Sequence, residues 1–116
     1  MPGDPDALRP LTASGREIAR AVGELLAPEE PEAVLCSPLL RARETASLIA
    51  RPASLEPEAD DRLAPGATVS AVRELIKGRG DTVVVVGHQP DCSEILLELT
   101  GREATFAPGA VVEVEL

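Results

Sequence analysis

Apolar positions along this chain form two kinds of group, and the two kinds alternate. Ile18, Val22, Leu25 and Leu26 recur at helical intervals behind two candidate N-caps, Thr12 and Ser14, and Glu17 stands at capping-box distance from Ser14. A first helix is therefore predicted to end before Pro28, where the Pro/Glu run 28–32 makes a loop. Ala33–Cys36 is a short apolar stretch between turn residues and reads as a buried strand. Ser37-Pro38 then predicts a second helix, with Ser37 as N-cap and Pro38 at the first helical position, where its lack of an N–H is harmless. That helix should run to about Ala50 and stop before Pro52.

Ala53–Glu56 offers another short strand, followed by an acidic, irregular stretch 57–65 that closes on the turn signal Pro65-Gly66. Thr68 caps a third predicted helix with Val69, Val72, Leu75 and Ile76 on its apolar face and Gly78 and Gly80 at its end. Thr82–Val86 is apolar without alternation, the pattern of a central parallel strand covered on both faces. Pro90 and Asp91 open a fourth helix carrying Ile95, Leu96 and Leu99 and ending at Gly101. Val111–Leu116 alternates Val with Glu and reads as an edge strand. Residues 1–10 show neither period and form an irregular lead-in. Alternating helices and strands over 1–116 predict a single α/β domain, a three-layer α/β/α sandwich with a mostly parallel sheet.

Composition changes this picture in three ways. With one Phe and no Trp or Tyr, the core must be built from aliphatic side chains. A formal net charge of −9 excludes the basic stripe that nucleic acids or anionic membranes require, although Arg41, Arg43 and Arg51 lie close together in sequence and leave room for a local anion site. The two cysteines, Cys36 and Cys92, stand 92 − 36 = 56 positions apart, and with one histidine they show no metal-ligand spacing. They read as small core residues of a reducing compartment, and no cofactor or metal is implied. No leader-like opening and no long apolar run is present, so the protein is expected to be cytoplasmic.

The chemistry concentrates at two strand ends. In open α/β sheets ligands bind beyond the carboxyl ends of strands, where helix N-termini point. Ser37 and Arg41 follow the strand ending at Cys36, while His88, the only histidine, and Gln89 follow the strand ending at Val86. Each has a plain structural reading: a helix start, a solvated helix face, a hydrogen-bonded loop histidine. Together they outline an anion site.

These motifs resemble the histidine phosphatase superfamily, also called phosphoglycerate-mutase-like. The resemblance rests on Leu11-Thr12 with Gly15, on Ser37-Pro38-Leu39-Leu40-Arg41-Ala42 with Thr45-Ala46, and on Val86-Gly87-His88-Gln89-Pro90, in that order. The Leu63-Ala64-Pro65-Gly66-Ala67 element and the compact length look most like the phosphohistidine phosphatase branch. The resemblance implies phosphoryl hydrolysis through a phosphohistidine on the enzyme, with Arg41 as the second phosphate-binding arginine and His88 as the second, stabilising histidine. Gln89 and Ser37 are further substrate-binding candidates. The partner it implies is a phosphorylated protein carrying phosphohistidine, or a small phosphate ester.

The same resemblance places the nucleophilic histidine in an Arg-His-Gly motif at the end of a first strand before Arg9. Residues 1–8 carry no such strand, Arg or His, so the chain as written lacks its nucleophile and is expected to be inactive by that route. Two readings stay open: an N-terminally truncated enzyme, or a shortened, non-catalytic phosphate- or phosphoprotein-binding module. Either way, an absent strand would leave neighbouring backbone groups unpaired, which predicts partial disorder or strand-mediated self-association. Where esterase members of the family place an acid in a Leu-x-Glu element, this chain reads Leu63-Ala64-Pro65. Imidazole leaves more easily than an alkoxide, which favours a phosphohistidine substrate, with Asp60 or Asp61 as the alternative proton sources.

Overall fold

Alternate residues of one four-residue strand face two separate cores, and this sets the layering. In the computed structural model, which describes residues 8–88, 91–103 and 111–112, β1 (Ala33–Cys36) is buried along its whole length. Val34 and Cys36 join Val22, Ala46, Ile49 and Ala50 on one face. Ala33 and Leu35 join Leu63, Val72 and Leu75 on the other. The first face is covered by α1 (Ala13–Leu26) and α2 (Leu40–Ala50), the second by α3 (Val69–Ile76) with Ile95 of α4 (Asp91–Thr100). The result is the expected α/β sandwich, with helices on both faces of a parallel sheet.

Among the described residues the sheet has three strands, β2 (Pro57–Ala59), β1 and β3 (Val83–Val86), in that spatial order. β1 pairs parallel with both, Val34 opposite Pro57 on one side and Val84 on the other. Among the described residues β1 lies between the other two strands, and the four-valine run is also covered on both faces, Val84 and Val86 packing on the first core and Val83 on the second. β3 is partly buried, with Val85 36% exposed. An unbroken apolar run reports hydrophobicity but not sheet position, so the valines could not by themselves mark the centre. The short strand expected at Ala53–Glu56 lies elsewhere. Residues 51–53 continue from α2 as a turn of 3-10 helix, Ser54 takes a left-handed conformation (φ 58°), and pairing begins at Pro57. Proline is tolerated there because β2 has a partner on one side only among the described residues.

Helix boundaries follow local chemistry closely, and helix faces less so. Thr12 is the cap of α1, its hydroxyl accepting from Gly15 N at 3.0 Å, and Thr68 caps α3 by accepting from Ala71 N. Gly78 (φ 71°) follows α3, and Gly101 (φ 73°) closes α4 with its N–H on Leu97 O. The buried positions of α1, however, are Ala19, Val22 and Gly23, while Leu25 is 68% exposed and Ile18 also faces outward. The helix turns its small residues inward because it lies close against α2: a Cβ on Gly23 would come within 2.8 Å of the Leu48 carbonyl oxygen. α2 begins at Leu40 rather than at Pro38, and its cap residue is Leu39, which makes no side-chain cap. Ser37 is not the N-cap. Its hydroxyl accepts from Leu39 N at 3.2 Å and is turned toward another strand. The edge strand expected at 111–116 lies outside the described residues from 113 onward, as do residues 1–7 of the lead-in.

Candidate functional site

Parallel pairing of β1 with β3 brings two strand ends to one place, and the residues just beyond them meet. Ser37 N donates to Val86 O at 3.1 Å, which extends the contact past Cys36 opposite Val86. One residue on from Gly87, the His88 ring reaches back, and its Nε2 lies 2.6 Å from Ser37 Oγ. Ser37 is 0% exposed, whereas His88 is half-buried. Among the residues predicted for the site, these two are joined by a direct side-chain hydrogen bond. The His88 carbonyl in turn accepts from Cys92 N at 2.9 Å, so the histidine sits at the threshold of α4.

Arg41 is the second residue of α2, half-buried, and its carbonyl accepts from Thr45 Oγ1. It lies in the first turn of α2, where the backbone N–H groups have no partner within the helix. The other two arginines of the sequence cluster separate from it. Arg43 lies two residues on, across the helix, and Arg51 lies past its far end, about 15 Å along the axis. Arg43 instead lines a distinct cleft of about 310 Å³ between α2 and β2, with Cys36, Glu44, Ser47 and Pro57. That cleft is on the β2 side of β1, away from His88. Gln89 lies outside the described residues.

Two carboxylates that sequence patterns had not marked tie the surroundings together. Asp91, only 8% exposed in the first turn of α4, accepts from Gly66 N at 2.7 Å and Ala67 N at 3.2 Å through one oxygen, Oδ2. It docks the Pro65-Gly66 turn, with Gly66 at φ 99°, onto the helix that follows His88. An acidic residue in a helix's first turn was the visible signal, but that is common and points to no partner. Glu44 accepts from Leu11 N at 2.8 Å and pairs with Arg16, and these partners hold its carboxyl below the usual range, the Leu11 N–H contributing most. Asp60 is held down to about 2 by side-chain and backbone hydrogen bonds from Arg62. Burial raises both thiols, Cys36 against the pull of Arg43 and Cys92 with the added charge of Asp91. Raised thiols are poor nucleophiles at neutral pH.

Residues 3–65, more than half of the chain, match the histidine phosphatase superfamily (branch 1). The chain belongs to the histidine phosphatase superfamily. The structure agrees: it superposes on the protein histidine phosphatase SixA complexed with tungstate with a TM-score of 0.74 at 28% identity, covering 87% of this chain and 70% of that one. The putative phosphohistidine phosphatase SixA of Agrobacterium tumefaciens gives 0.71 at 25% identity, covering 87% and 68%. An uncharacterized protein of Picosynechococcus is 37% identical over 97 residues. The match spans 77% of this histidine phosphatase homologue and 58% of that protein's length. No described helix is long and apolar enough to cross a membrane.

Proposed function

We propose that the chain is a histidine-phosphatase-like domain of the phosphohistidine phosphatase type, holding a phosphoryl group between Arg41, His88 and the N-terminus of α2. The observation that carries this reading is the Ser37–His88 hydrogen bond, which fixes an imidazole beside a helix start bearing arginine. Such a constellation meets the charge spread over phosphoryl oxygens with preorganised cations and N–H donors. That similar structures are named phosphohistidine phosphatases, one of them with the tetrahedral oxyanion tungstate, supports the same class of ligand. Asp60 strengthens the preference for phosphohistidine over alkyl phosphates. A carboxylate already paired with Arg62 and held to about 2 is a poor proton donor to an alkoxide.

His88 is the only histidine of these 116 residues, so a mechanism with one histidine as nucleophile and another as stabiliser cannot run on them alone. In this reading Arg41 binds, His88 stabilises, Gln89 adds a donor, and the chain by itself holds a phosphorylated protein in the cytoplasm without turning it over. The single histidine also favours the second reading, a phosphoprotein-binding module. The side of β3 that no described strand covers is the surface we assign to self-association.

Titration of the purified chain with inorganic phosphate or tungstate, followed by calorimetry, tests the site. Arg41→Ala is expected to weaken binding by about 10- to 100-fold, the worth of a hydrogen bond to a charged group. Equal binding by wild type and variant, or none by wild type, refutes the site. Release of phosphate from a phosphohistidine protein by this chain alone refutes the assignment of His88 as stabiliser only.

A further inference from the structure

We propose that Ser37 is a positioning residue that sets the tautomer of His88, donating its hydroxyl hydrogen to Nε2 so that the neutral ring carries its own hydrogen on Nδ1. The argument begins with burial. Ser37 is 0% exposed, so its hydroxyl hydrogen has no water to bond and must find an acceptor within the protein. Two groups lie within hydrogen-bonding distance of Ser37 Oγ among the described residues. One is Leu39 N, which carries its own hydrogen and can only donate to the oxygen, at 3.2 Å. The other is His88 Nε2 at 2.6 Å, which accepts if it bears no hydrogen. The Leu39 N–H occupies a lone pair of the hydroxyl and directs its hydrogen toward the ring. In the reverse arrangement Ser37 Oγ would accept from both Leu39 N and His88 Nε2, and its own hydrogen would face neither of these groups.

The backbone holds the geometry in place. Ser37 N is bonded to Val86 O and His88 O to Cys92 N, so both residues are fixed in the main chain at each side of the contact. In this reading the enclosed serine acts through the imidazole. Given the phosphate reading above, on which any consequence for ligand binding rests, the tautomer places an N–H rather than a lone pair at Nδ1 of the ring. This reverses the preference of free histidine, whose neutral ring favours hydrogen on Nε2.

Because His88 is the sole histidine, its ring nitrogens give the only imidazole signals in long-range proton–nitrogen correlation spectra of the nitrogen-15-labelled chain. At alkaline pH the Nδ1–H form is expected to exceed the other by about tenfold, the worth of one good hydrogen bond. Ser37→Ala should return the ring to an Nε2–H majority, and Ser37→Thr should keep Nδ1–H. A wild-type Nε2–H majority overturns the proposal without any variant, which covers the case of an Ala variant that does not fold. The same ratio in wild type and folded S37A overturns it too. Inorganic phosphate added to the same samples separates the two claims: a fixed Nδ1–H form with no phosphate binding upholds the role of Ser37 and refutes the phosphate site.

Discussion

A single buried carboxylate, Asp91, holds the Gly66 and Ala67 N–H groups against the helix that follows the histidine. Asp91→Ala would remove the acceptor of both donors; a hydrogen bond to a charged group is worth about 1.5–3 kcal/mol, and water replaces part of it because Gly66 is exposed and Ala67 half-buried. Urea unfolding of this variant should therefore show a loss of about 1–2 kcal/mol, with amide exchange quickened first at Gly66 and Ala67. Asp91→Asn, which retains an acceptor oxygen but not the charge, should lose less. An unchanged midpoint and unchanged protection in Asp91→Ala would show that the turn is held by something else. Ser37 and His88 were legible in the sequence because strand ends in α/β sheets are where ligands bind, and each ends a recognisable apolar run. Their contact was not. It joins residues 51 positions apart through the adjacency of β1 and β3, which no local pattern encodes.

At the scale of elements, Glu44 of α2 clamps the start of α1 by accepting from Leu11 N and pairing with Arg16. Its carboxyl titrates lower in the folded protein than in the unfolded chain, so the folded state favours the ionised form. The contribution is thus complete above the ordinary value of 4.5 and disappears as pH falls through the lower folded value. Protection of the Leu11 amide is expected to fall over that acid range. Glu44→Gln should have low Leu11 protection at neutral pH and little further change on acidification. Equal acid sensitivity in Glu44→Gln would assign the effect to another carboxyl. Strand β1 and the caps of α1 and α3 were readable because a turn-bounded apolar run and a hydroxyl before a periodic segment act locally. β2 was hidden because Pro57-Glu58-Ala59 has no apolar signature: it is a strand by virtue of pairing with β1. The inward face of α1 was misread for a related reason, since Gly23 gains its place from close approach to α2 rather than from hydrophobicity.

For the whole molecule, the side of β3 that no described strand covers and the net charge of −9 act against each other. Thr82 O and Val86 O are bonded toward β1, so strand alternation directs the backbone groups of Val83 and Val85 to the other side. Among the described residues no strand covers that side, and Val85 is exposed. Two copies can pair these edges about a twofold axis, but each brings the same excess of negative charge, and repulsion between them is screened as ionic strength rises. Sedimentation equilibrium should therefore show a monomer–dimer equilibrium that shifts toward dimer with added salt. Val85→Lys separates edge pairing from simple charge neutralisation. It lowers the net negative charge and would favour association if charge alone governed it, whereas a lysine on an edge strand blocks pairing. Loss of the dimer in Val85→Lys at every salt concentration is the expected result. A dimer strengthened by the same substitution would place the contact on some other surface, and a monomer in both proteins at all concentrations would mean that the β3 edge does not pair in solution.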